Sequence, residues 1–170
     1  MKIYIAGPMF SEPDISYNRL LRDKFMACGF DVYCPNDNQD INDKTRNDIT
    51  SGKIYNADLK ELMECNVLLC RISLDCGTMW EAGYMRCLSD YDTHGTYWGC
   101  IGLVTDIRLQ TVPDPNKRGV SNQAMYIDQF IVGGLQTSLG IYYDVDSLLQ
   151  ALQKIAVSKG ENANEHGTTA

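Results

Sequence analysis

Histidine is nearly missing from this chain: His94 and His166 are the only two in 170 residues. With so little imidazole, a Ser/His/Asp set has no obvious members, and no G-x-S-x-G elbow occurs. The seven cysteines form no CxxC pair, so zinc-ligand spacing is absent as well. There is no GxxxxGKS or GxxxxGKT phosphate loop and no GxGxxG, which leaves an ATP or dinucleotide site without support. No apolar run approaches the roughly 20 residues that span a bilayer. Basic charge is in short supply: 22 acidic residues against 15 Lys and Arg give a net charge of −7. That average repels a nucleic-acid polymer, no basic stripe offsets it, and a neutral small molecule is the easier partner.

What is present reads as one globular domain with ordinary apolar and charged content, 44% and 22%. Met1 to Gly7 enters a strand pattern at once and lacks the apolar core of a signal peptide, so a cytoplasmic protein is expected. Cys28, Cys34, Cys65, Cys70, Cys76, Cys87 and Cys100 are expected as reduced thiols, mostly buried, with Cys76 set apart by its place in a turn. Strands are expected at Lys2–Ala6, Phe30–Cys34, Val67–Ile72, Tyr97–Thr105 and Ile141–Tyr143. Helices are expected at Ile15–Cys28, Tyr55–Cys65, from Thr78 to about Ser89, in part of Gln123–Leu139, and at Val145–Val157. On the first of these, Ile15, Leu20, Leu21 and Phe25 can share a face; on the second, Leu59, Leu62 and Met63 form the inner face. The alternation implies a parallel sheet covered by helices on both faces. Residues 1–157 are assigned to that domain, and the small, polar stretch 158–170 is expected to be a disordered tail.

The stretch Asp75-Cys76-Gly77-Thr78-Met79-Trp80-Glu81-Ala82-Gly83-Tyr84 concentrates the candidate chemistry. It follows the third strand and opens a helix, the place where open α/β sheets bind ligands. Glu81 admits two readings: the glutamate of a Thr78–Glu81 capping box, or a carboxylate facing a pocket. Asp75 either fixes the turn or serves the site. Asp58, in the first turn of its helix, either favours the positive end of the macrodipole or joins the site. Tyr4 is a strand residue that by default belongs to the core, on the face opposite Ile3 and Ile5. Gly77 allows close approach of a ligand, and Gly83 inside a helix calls for close packing to offset its cost. With two histidines, acid–base work falls to carboxylates and tyrosines.

Ile3-Tyr4-Ile5-Ala6-Gly7-Pro8, Pro35-Asn36-Asp37-Asn38-Gln39, Asn56-Ala57-Asp58-Leu59 and the Asp75–Tyr84 stretch, in that order and spacing, resemble the nucleoside 2-deoxyribosyltransferase family. The resemblance covers about residues 2 to 150 and is strongest up to Gly83. It implies a flavodoxin-like (Rossmann-like) five-stranded parallel sheet, assembly as a dimer to hexamer with sites near subunit interfaces, and no cofactor or metal. The implied substrates are 2′-deoxynucleosides and free nucleobases, exchanged in nucleoside salvage. Glu81 matches the nucleophile, Tyr4 the tyrosine that orients it, and Asp58 and Asp75 the acids that position nucleoside and base. Gly7, Pro8, Met9, Asp37, Gln39 and Gly77 match the surroundings of the substrate. Gln136, with Asn122 as a second candidate, matches a late residue that reaches a neighbouring site.

Relatives of this family hydrolyse nucleoside 5′-monophosphates, and they often carry Ser in place of the motif Asp and Ser or Arg near the first loop. Here Asp75 is retained and the first loop offers Ser11 without Arg. An acid near a 5′-phosphate would repel it, which favours the transferase over the N-glycoside hydrolase; a non-catalytic nucleotide-binding module is the third reading. Trp80 is expected to pack in the core.

Overall fold

The computed structural model describes residues 1–43, 45–118 and 121–165, with the side chains of 161–165 excepted. The chain runs β1 (Lys2–Ala6), α1 (Glu12–Ala27), β2 (Asp31–Tyr33), α2 (Gln39–Asn42), α3 (Ser51–Met63), β3 (Val67–Arg71), α4 (Cys76–Tyr91), β4 (Gly99–Leu103), α5 (Gln129–Gln136), β5 (Ile141–Tyr142) and α6 (Val145–Glu165). Short 3-10 turns at Pro35–Asp37 and Ile107–Gln110 shape two of the connections. All strand pairs are parallel, in the order β2-β1-β3-β4-β5. This is the flavodoxin-like arrangement, and its strand order reverses between β1 and β3, where a crevice opens at the carboxyl ends.

Alternation along the strands feeds two cores. Ile3, Ile5, Val67, Leu69, Ile101 and Leu103 pack on Leu21 and Phe25 of α1 and on Leu148 and Leu152 of α6. Tyr4, Ala6, Leu68, Cys70 and Cys100 face Leu62 of α3, Ala82 and Met85 of α4 and Leu135 of α5. Gly99 begins β4 with φ +123°, and a Cβ there would lie 2.3 Å from Ser138 Oγ, so no other residue fits.

Several expectations change in detail. Helix α1 starts before Ile15 because Ser11 caps it, accepting from the Asp14 amide, with Pro13 in the first turn. Leu20 and Met63 face solvent; the inner face of α3 is Leu62 with half-buried Asp58 and Leu59. Helix α6 continues past Val157 to Glu165, and residues 166–170 lie outside the described residues. Cys34, Cys65, Cys70 and Cys100 are buried free thiols, whereas Cys28, Cys76 and Cys87 are exposed. Among the described residues, no helix is long and apolar enough to cross a membrane, and no group of His, Cys, Asp and Glu could hold a metal ion.

Candidate active site

Register between β1 and its neighbours places Tyr4 beside Tyr33 of β2 and Leu68 of β3. The two tyrosine rings therefore share a face of the sheet, with centroids 5.2 Å apart. Each hydroxyl meets one carboxylate. Tyr4, fully buried, donates to Glu81 Oε1 at 2.6 Å. Tyr33 donates to Asp58 Oδ1 at 3.2 Å and accepts from Asn38 Nδ2 at 3.0 Å. Two tyrosine–carboxylate pairs thus stand side by side at the crevice, one reaching α4 and the other α3.

The start of α4 decides what Glu81 does. Asp75 is the N-cap: its Oδ2 accepts from the Thr78 amide at 2.8 Å and from the Thr78 hydroxyl at 2.7 Å. The helix begins at Cys76, so Glu81 lies beyond the first turn, and the capping-box reading of Thr78–Glu81 does not hold. The Asp75 carboxylate already satisfies the amide that such a box would use. Glu81 is left free to bond with Tyr4.

Electrostatics at the pairs follow from burial. Desolvation, with Asp58 and Asp75 nearby, pushes the Glu81 carboxyl up from 4.5 to about 7 against the opposing pull of the Tyr4 hydrogen bond. Desolvation and Glu61 push Asp58 from 3.8 to about 6, again against its tyrosine. Both tyrosines are held well above the ordinary phenol range by burial and by these anions, so they act as donors. A cleft of about 150 Å³ opens on the carboxylates, walled by Tyr55, Leu59, Trp80 and Tyr84. Trp80 is 70% exposed on this wall and does not pack in the core, because the helix turns its position outward.

Gly77, in the first turn of α4, lines the same cleft as expected. The other expected residues do not line it: Gly7, Pro8 and Met9 follow β1. Asp37 is paired with Arg19 at 3.0 Å and with Arg22, on the side of α1. Gln39 is exposed at the start of α2, and Gln136 is exposed at the end of α5. Asn122 staples its own loop, accepting from the Asp114 amide at 3.1 Å and donating to the Asp114 carbonyl at 3.2 Å. Gly83 has nothing within 4 Å of a built Cβ; it lies on an open groove rather than a tight contact. Tyr33 and Asn38 are the residues that sequence reasoning missed. Their signal is the in-register pairing of Tyr33 with Tyr4, which is not local in the sequence.

Fold and cluster together define a flavodoxin-like α/β protein with a carboxylate-centred cleft at its switch point. The model of the nucleoside 2-deoxyribosyltransferase family matches residues 3–123, and the chain belongs to this family. The matched range includes Tyr4, Tyr33, Asp58, Asp75 and Glu81 but ends before Gln136. A conserved protein from Enterococcus faecalis V583 superposes with TM-score 0.72 at 26% identity, over 90% of this chain and 97% of that one. A 2-deoxyribosyltransferase from Bacillus psychrosaccharolyticus superposes with TM-score 0.62 at 17% identity, over 88% and 90%, a likeness of fold alone. No curated protein sequence gives a significant match.

Proposed function

We propose that this chain is a 2-deoxyribosyltransferase that exchanges the base of 2′-deoxynucleosides through a deoxyribosyl ester on Glu81. The observation that carries the reading is the 2.6 Å hydrogen bond from Tyr4 to Glu81 Oε1, which fixes the carboxylate and leaves Oε2 for attack. In the first step Oε2 bonds to the anomeric carbon. The carbon–nitrogen bond breaks, its electron pair goes to the base, and Asp58 supplies the proton. In the second step a nitrogen of the incoming base attacks the same carbon, the carboxylate leaves, and Asp58 regains a proton. Two inversions give net retention, the logic of retaining glycosidases. Asp75 serves through the helix start it caps, which carries Glu81.

Free nucleosides suit the site better than 5′-monophosphates. Glu81, Asp58 and Asp75 make it anionic. Ser11 in the first loop is committed to capping, its hydroxyl donating to Asp14 Oδ2 at 2.6 Å. The remaining parts of the reading are a cytoplasmic salvage role and a homo-oligomer.

Incubation of a deoxynucleoside with a different free base, followed by chromatography, tests the proposal. A new deoxynucleoside is the expected product, with a covalent adduct on Glu81 detectable by mass spectrometry. Free deoxyribose alone, or turnover confined to 5′-monophosphates, would replace transfer by hydrolysis. Binding without turnover would leave a nucleotide-binding module.

A further inference from the structure

On the face of the sheet away from Glu81, a charged side chain is buried where an apolar one would be expected. Arg71 ends β3 on the face used by Val67 and Leu69, and it is only 7% exposed. Its guanidinium lies 4.8 Å from the centre of the Tyr17 ring and 3.3 Å from Asp14 Oδ1. Among the described residues its buried Nε finds no hydrogen-bond partner. A buried charge with an unsatisfied N–H is weak evidence for stability, so its use lies in what it holds.

What it holds is Asn18 of α1, a side chain 2% exposed. Arg71 Nη1 donates to Asn18 Oδ1 at 2.6 Å and reaches the Pro8 carbonyl at 3.4 Å. Asn18 Nδ2 donates to the Pro8 carbonyl at 3.0 Å and to Asn36 Oδ1 at 2.8 Å. Both amide hydrogens and the amide oxygen are engaged, so the orientation of Asn18 follows from its partners. One amide thereby joins the loop after β1, the loop after β2 and the end of β3. Gly7 is part of the fit, since a Cβ there would lie 2.9 Å from Arg71 Cδ.

Each tied segment leads into the proposed site. Pro8 follows the strand that carries Tyr4. Asn36 lies between Tyr33 and Asn38, the two members of the Asp58 arm. Arg71 precedes the turn in which Asp75 starts the helix of Glu81. We propose that Asn18 and Arg71 form a buried clamp that sets the two tyrosine–carboxylate pairs in mutual register, acting as positioning residues from the opposite face of the sheet. The proposal rests on the deoxyribosyl-transfer reading for its kinetic consequence and on geometry alone for its structural one.

Asn18→Asp separates the roles. It keeps an acceptor for Arg71 and removes both donor bonds to the loops. The expected variant still unfolds cooperatively. Hydrogen exchange speeds up in segments 7–10 and 34–38, and kcat falls by about 100-fold, as a misplacement of about 1 Å in reacting groups would cause, with KM changing far less. Arg71→Lys keeps the charge but loses the guanidinium fork; it moves the same readouts in the same direction and serves if Asn18→Asp does not fold. A folded variant with unchanged exchange in both segments overturns the clamp, as do loosened loops with kcat within twofold of the parent. A parent chain that turns over no nucleoside would sink the transfer reading instead, and loop exchange would then judge the clamp by itself.

Discussion

Glu81 and Asp58 have carboxyls raised to about 7 and about 6, each opposed by its own tyrosine. Transfer needs Glu81 ionised and Asp58 protonated, so kcat/KM should be greatest between pH 6 and 7. It should fall roughly tenfold per pH unit on either side, with limbs that belong to the coupled pair. Single substitutions should act on different limbs. Tyr4→Phe deletes the donor that favours the Glu81 anion, so the acid limb moves to higher pH and kcat falls by about 10- to 100-fold. Asp58→Asn removes the group whose ionisation ends activity at high pH, so the basic limb should disappear while general-acid catalysis worth about 100-fold or more is lost. A profile unmoved by both would show that neither group governs catalysis. Stability follows the same proton. Folded Glu81 keeps it up to about pH 7 and the unfolded side chain only to 4.5, so the folded chain loses stability as pH rises through that window. The full penalty above it is on the order of 3 kcal/mol. Glu81→Gln should therefore melt about 5 °C or more above the parent at pH 8, with the difference gone below pH 4.5, while turnover disappears.

At the scale of the element, helix α4 depends on one side chain for both its start and its aim. Asp75→Ala should cost about 1 kcal/mol of stability, the usual worth of an N-cap. Asp75→Asn keeps an acceptor for the Thr78 amide, so its melting temperature should stay near the parent's. If Asp75 acts only by placing Glu81, the Asn variant should also keep kcat within a few-fold; a folded but inactive variant would show that its charge takes part in the chemistry. The same helix shows what the sequence could reveal. Strands buried on both faces appear as continuous apolar runs, so β1 and β3 were legible almost to the residue. The start of α4 was not, because Asp75 and Thr78 both suit an N-cap, and only the hydrogen bond to the Thr78 amide separates them. Tyr4, Asp58 and Glu81 could be named from their motifs, yet the pairing of Tyr4 with Glu81 and of Asp58 with Tyr33 depends on how α3 and α4 pack on the sheet. Tyr33 and Asn38 stayed hidden because strand register brings distant segments together. The clamp was hidden for a similar reason: Asn18 looks like one more polar residue of α1 until the loops close on it.

At the scale of the whole molecule, an apolar groove among the described residues is left uncovered by the fold. This groove, of about 660 Å³, runs between α4 and α5, lined by Met79, Ala82, Gly83, Phe130, Ile131 and Leu135. Phe130 beside it is 89% exposed, and a Cβ built at Gly83, Gly133 or Gly134 would touch nothing within 4 Å. Arg86 links the two walls, donating to the Gly134 carbonyl at 3.0 Å and to the Thr137 hydroxyl at 3.2 Å. Its wall is the helix that carries Trp80 and Glu81, so whatever fills the groove also bears on the cleft. A second copy is the occupant consistent with the homo-oligomer proposed above, since exposed apolar patches on soluble chains mark association surfaces. Phe130→Asp puts a charge at that contact, and Gly83→Leu fills the groove from within. Both should shift the chain from oligomer to monomer in sedimentation at micromolar concentration, with little change in secondary structure. If the neighbour also helps to close the cleft, both should lower kcat/KM, and raising the protein concentration should restore part of the loss. A parent chain that sediments as a monomer and is fully active would remove the groove from the mechanism and leave the paired carboxylates to work within one subunit.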